Sequence, residues 1–115
     1  TCHFVLHFLQ TIEQKKSLIE AIAKNLVSGG MAFFSSFNTA LGDVHDEKMM
    51  QAWRIAMLRN GVTEKQWLAF KQSFGESLIP IRTEEMMELF KQAGFTNMKL
   101  YFKAYSIEAF CMEKK

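Results

Sequence analysis

The sequence predicts an α/β domain built on a mostly parallel sheet, and three observations carry that expectation. An apolar run, Thr1-Cys-His-Phe-Val-Leu-His-Phe-Leu9, precedes a capped amphipathic helix, and after Gly29-Gly30 comes a second apolar run, Met31-Ala-Phe-Phe-Ser-Ser-Phe37. Strand, crossover helix and parallel strand form a βαβ unit, which needs helices packed on a mostly parallel sheet. The chain closes with a helix, Ala93-Gly94-Phe95 and two adjacent strand-like runs out to Lys115. It opens directly on a strand, so it reads as the back half of a larger α/β domain.

Each element has a local reason. Thr1–Leu6 is apolar and aromatic, as a buried strand requires. Thr11 and Gln14 make a capping box that opens the first helix, and Leu18, Ile19, Ile22 and Leu26 form its apolar stripe. Gly29-Gly30 is expected to end that helix, because a left-handed cap is easiest without a Cβ. The length and aromatics of Met31–Phe37 make it a strand, followed by a loop over Asn38–Asp43. Met50, Trp53 and Met57 share one helix face, which Asn60-Gly61 closes. Thr63 and Gln66 form a second capping box, with Trp67, Phe70 and Phe74 on one face after it. An α/β sheet does not need these two helices, so residues 38–80 read as a helical insertion over one end of it. Beyond Pro80, Thr83 is expected to cap a helix whose first turn holds Glu84 and Glu85, with Met86, Met87, Phe90 and Ala93 facing inward and Gly94 ending it. Thr96–Lys103 and Ser106–Lys114 are then two strands whose short link permits only an antiparallel pair.

Composition narrows the function classes. The 115 residues suffice for one small domain with a modest core, and 49% hydrophobic content argues for a folded chain. Eleven Phe, eight Met and two Trp are much large apolar surface for this length, so the chain either packs densely or covers itself with something else. A net charge of +2 with no basic stripe gives no argument for nucleic acid. Lys15-Lys16 and Lys114-Lys115 read as solvated ends. Cys2 and Cys111 lie at opposite ends without metal-ligand spacing, so no metal is expected and a reducing, cytoplasmic compartment is. No apolar stretch is long enough to span a bilayer.

With these elements in order, the chain resembles the C-terminal half of class I S-adenosylmethionine-dependent methyltransferases. The resemblance is carried by Cys2-His3-Phe4-Val5-Leu6-His7-Phe8-Leu9, by Leu26-Val27-Ser28-Gly29-Gly30, and by Ala93-Gly94-Phe95 with Leu100-Tyr101-Phe102-Lys103-Ala104 and Ala109-Phe110. It is strongest to the small-molecule and tRNA wobble-uridine carboxymethyltransferase branch. It implies a partial Rossmann-like sheet comprising strands four to seven, the last strand antiparallel, with the helical pair inserted. It also implies S-adenosyl-L-methionine as cofactor. The family's Gly-rich loop and its ribose-holding acidic residue have no counterpart here, and no G-x-G-x-x-G is present. The chain alone is therefore not expected to hold the cofactor tightly.

Ligands of open α/β sheets sit outside the carboxyl ends of the strands, which singles out Cys2, His3, Phe4 and His7 as cofactor-side candidates. The resemblance implies that His3 and Phe4 border the methionine and adenine parts, while the residues alone allow a strand-end His3 and a core Phe4. His7 could accept a proton from an attacking atom or anchor a loop through the backbone. On the substrate side, Phe37, Trp53, Met57, Trp67 and Phe70 could roof a pocket or simply form core. The resemblance puts Lys71 where the tRNA-modifying branch carries a basic residue near its acidic ligand. Ser35, Ser36 and Asn38 are polar contacts or caps.

Two functions from different classes follow. In one, the parent protein methylates an acceptor, expected to be a small molecule, and this chain supplies the substrate-side half. In the other, the chain is a non-catalytic association module whose first strand pairs with the missing half of the domain or with a second copy, giving a dimer.

Overall fold

Met31–Phe37 is the strand around which the rest is arranged, because its alternating side chains supply both faces of the sheet. The computed structural model describes residues 1–115. In chain order it forms β1 (Cys2–His3), a 3₁₀ turn (Leu6–Phe8), α1 (Ile12–Lys24), β2 (Met31–Phe37), α2 (Val44–Arg59), α3 (Glu64–Ser73), α4 (Thr83–Gln92), β3 (Phe95–Ala104) and β4 (Ile107–Lys114). The strands lie in the order β1-β2-β4-β3. β1 pairs parallel to β2, whereas β4 runs antiparallel between β2 and β3. This is an α/β fold with a partial Rossmann-like sheet whose last strand is inserted antiparallel.

One face of the sheet carries the main core. Ala32 and Phe34 of β2 stand opposite Met112 and Phe110 of β4, and all four are buried. Ile19 and Ala23 of α1 and Met86, Leu89 and Phe90 of α4 pack with them in one hydrophobic cluster. Phe34 lies 4.8 Å from Phe90 between ring centroids, and Phe110 lies 5.6 Å from Phe90. On the other face, Phe37 and Ile107 meet a second cluster at the carboxyl end of β2, made by Met50, Trp53 and Trp67 of the α2–α3 pair. Further along that face Met31, Phe33 and Tyr101 stay exposed, with Phe33 and Tyr101 edge to face at 6.3 Å. No helix is long and apolar enough to cross a membrane.

Both capping boxes form, at Thr11 with Gln14 and at Thr63 with Gln66. Asn60 caps α2, and Gly61 follows with φ +93°.

Four local expectations are corrected. The first strand is two residues long rather than Thr1–Leu6, because Phe4 takes φ +56° and turns the chain before Leu6 buries itself in the core. α1 ends at Lys24, where the Asn25 side chain donates to the Ala21 carbonyl at 2.8 Å; Gly29, at φ +79°, instead shapes the turn into β2. Thr83 is the first helical residue of α4 rather than its cap, and its hydroxyl donates to Glu108 Oε1 at 2.6 Å. Lys15 is not a solvated end: it is 1% exposed.

Candidate functional site

The carboxyl ends of β1 and β2 bring most of the candidates together. His3 Nδ1 lies 2.9 Å from Ser35 Oγ. The last parallel rung is the Phe4 N–H donating to the Ser35 carbonyl at 2.8 Å. Beyond it the left-handed backbone swings the Phe4 ring out to 43% exposure. A bulky residue there is strained by roughly 1–2 kcal/mol. Its ring remains 5.6 Å from that of Phe37.

Phe37 is the hub of the arrangement. It stacks on His7 at 4.3 Å and meets Trp53 at 5.7 Å and Phe70 at 6.0 Å. Cofactor-side and substrate-side candidates therefore share one aromatic contact network. Trp53 and Trp67 are buried, Met57 and Phe70 are partly buried, and Trp53 stacks on Tyr105 at 5.6 Å. These side chains pack on one another. Lys71, exposed on α3, is 4.0 Å from Glu47 and belongs to neither group.

His7 is 1% exposed. Its Nδ1 accepts the Phe37 N–H at 3.2 Å and lies 3.2 Å from Ser36 Oγ. Accepting a backbone N–H fixes the neutral ring with its proton on Nε2. Burial, with the Lys15 charge adding to it, pushes the imidazole pKa down to about 4. In this geometry the basic nitrogen is already committed, so His7 anchors the turn after β1 to the end of β2.

Sequence reasoning missed Lys15. Its Nζ donates to the carbonyls of Leu6 at 2.6 Å, Leu9 at 2.8 Å and Ile79 at 2.7 Å. Burial lowers its pKa to about 8. Three carbonyls at these distances favour the ammonium, which stays charged at neutral pH. Together with the Ile79 N–H donating to the His7 carbonyl at 2.6 Å, it ties the turn after β1 to the segment entering α4. The signal was present: Lys15, Ile19 and Ala23 are the buried positions of α1, spaced four apart.

Phe4 presents an exposed aromatic face at this end of the sheet, with polar His3 beside it. No group of three or more His, Cys, Asp or Glu side chains is placed to hold a metal ion.

No family model matches the chain. It is 25% identical over 108 residues to a carboxy-S-adenosyl-L-methionine synthase of Trichodesmium erythraeum, covering 94% of this chain and 42% of that protein. Against a carboxy-S-adenosyl-L-methionine synthase of Wolinella succinogenes it is 22% identical over 113 residues, covering 98% and 47%. The chain thus spans less than half the length of these curated relatives, and the similarity is distant. Among solved structures, PigF with SAH superposes with a TM-score of 0.61 at 18% identity, covering 98% of this chain and 29% of PigF. A possible exported protein from Bordetella parapertussis gives 0.60 at 13% identity, covering 97% and 37%. These superpositions establish the fold.

Proposed function

We propose that this chain is the substrate-side half of an S-adenosylmethionine-dependent methyltransferase-type domain acting on a small-molecule acceptor. The observation that carries the reading is the strand order β1-β2-β4-β3 with its inserted antiparallel strand, found together with sequence similarity to proteins that make a carboxylated S-adenosylmethionine. The cofactor would supply an electrophilic methyl on a sulfonium sulfur. Phe4 offers its exposed ring face to the adenine, and His3 offers a polar edge. His7 and Lys15 hold the turn that presents Phe4. The α2–α3 pair, residues 38–80 as an insertion, excludes water from the carboxyl end of β2, so that alignment rather than a strong base supplies most of the catalysis.

The Gly-rich cradle is assigned to polypeptide outside residues 1–115, packed beside β1 and over the bare face bearing Met31, Phe33 and Tyr101. Pairing at the outer edge of β1 is confined to two residues, so the bare face contributes more to that association than the edge does.

A second reading is that the domain makes a carboxylated cofactor rather than transferring a methyl group. Both curated relatives carry that activity in their names, and Lys71 is an exposed cation on α3, 4.0 Å from Glu47, that a carboxylated ligand would have to draw away from that partner. Measuring S-adenosylhomocysteine affinity of the complete domain with Phe4→Ala tests the shared premise. Weakening of about tenfold with an unchanged melting temperature is expected. Unchanged affinity would remove Phe4 from the site. Product analysis with Lys71→Ala then separates the two chemistries.

A further inference from the structure

A cleft with a volume of ≈ 400 Å³ lies on the α4 side of β2 and is lined by none of the aromatic side chains. It is walled by the loop leaving β2, the first turn of α4 and the end of β3, and only Ala40 of its nine lining residues is apolar. Asn38 lines it and is 4% exposed. Both polar atoms of the Asn38 amide are buried without a partner, although its backbone N–H is satisfied by the Ser106 carbonyl at 2.8 Å. Burying an amide with neither donor nor acceptor used is unfavourable, because its hydration is lost without replacement. It is therefore an observation that needs a partner.

The charges around it restrict what that partner is. Arg82 occupies the N-cap of α4 without any side-chain hydrogen bond to the first turn, so the positive end of a ten-residue helix is left uncapped. Lys103 stands on the same cleft but is partly committed to buried Glu108 at 3.1 Å. On the opposite wall, Asp43 uses Oδ1 to cap α2, and Asp46 uses Oδ2 to accept from the Thr39 hydroxyl at 2.9 Å and the Ala40 N–H at 2.6 Å. Each keeps a second carboxylate oxygen free of protein hydrogen bonds. Glu84 adds a third carboxylate to the lining. Three carboxylates against two cations disfavour a simple anion such as phosphate. The uncapped helix and Arg82 equally disfavour a simple amine.

We propose that this cleft binds a small zwitterion of the α-amino-acid class. Its carboxylate meets Arg82 and the first turn of α4, its ammonium meets Asp43 and Asp46, and Asn38 supplies the amide that reads the remainder of the ligand. The inference uses none of the residues assigned to the cofactor and stands if the methyltransferase reading fails.

The test is a ¹H–¹⁵N NMR titration of the protein with the free proteinogenic amino acids, up to roughly 10 mM, which populates a ~1 mM site. The matching decarboxylated amine and deaminated acid serve as controls. At least one amino acid is expected to move the Asn38 side-chain NH₂ and the Thr83–Glu85 amide resonances, with both controls about tenfold weaker or worse. Arg82→Ala, at an exposed position, is expected to lose about tenfold in affinity with an unchanged melting temperature. The proposal is overturned if no amino acid moves the Asn38 resonances, if a control binds as well as the zwitterion, or if Arg82→Ala binds as tightly as the parent.

Discussion

His7 and Lys15 make the same turn rigid by opposite electrostatic means. Lys15 is an ammonium that three carbonyls solvate in place of water. Lys15→Met keeps much of the volume but leaves those carbonyls without a donor. Urea unfolding should show a loss of about 3 kcal/mol, and no loss would mean that water reaches the carbonyls unaided. His7 is buried neutral. Its folded pKa, about 4, lies below the ordinary value near 6.5, so the unfolded chain binds the extra proton first. Its contribution is therefore present in full above pH ~6.5 and disappears as pH falls toward 4, on the order of 3 kcal/mol in all. His7→Asn can present an oxygen acceptor to the Phe37 N–H but does not titrate. Its urea midpoint should fall less than that of the parent between pH 7 and pH 4.5, and an equal fall would show that His7 does not titrate as described. His7 could be singled out by residue type alone. Lys15 could be found only by letting helical spacing outrank its charge.

Helix starts set by neighbours in sequence were legible, the local Asn25 end of α1 was not, and features set across the fold were hidden altogether. The boxes at Thr11 and Thr63 need only a partner three residues on, and both form. Thr83 has the same residue type before a similar acidic turn, yet its hydroxyl serves Glu108, 25 residues away on β4 and fully buried. Only the fold brings that carboxylate within reach. Thr83→Ala should cost about 2 kcal/mol in chemical unfolding, because it strips one of two partners from a buried charge, and Thr83→Ser should restore most of it. Equal losses in the two variants would show that packing of the Thr83 methyl, rather than the hydrogen bond, is what matters. The shortness of β1 was hidden for a related reason. A Phe at φ +56° has no signature in residue type, and the surrounding structure imposes it. The outer strand β3 also carries register shifts, between Thr96 and Lys99 and between Leu100 and Phe102, which interrupt an edge that could otherwise recruit another strand.

At the scale of the molecule, the radius of gyration is 15.2 Å, above the about 13 Å usual for this length, and the long axis reaches 46 Å. The excess belongs with a sheet whose two faces are unequally covered: α1 and α4 bury one, while Met31, Phe33 and Tyr101 lie open on the other. The apolar content of the sequence foretold either dense packing or an outside cover, and the α2–α3 cluster accounts for part of it. The crossover and the closing antiparallel pair were readable from capping and turn chemistry, whereas the strand order followed only from the family resemblance. The polar cleft beside α4 was not, since Asn38, Arg82 and Lys103 are far apart in sequence and share no spacing.

The central claim is that residues 1–115 form one side of a cofactor-binding sheet whose cradle lies on other polypeptide. Calorimetric titration of S-adenosylhomocysteine into residues 1–115, and into the same residues joined to an upstream strand and Gly-rich turn, tests it most directly. The expected result is binding by the longer protein and no measurable heat from the shorter one. A dissociation constant below about 10 µM for residues 1–115 alone would contradict the account.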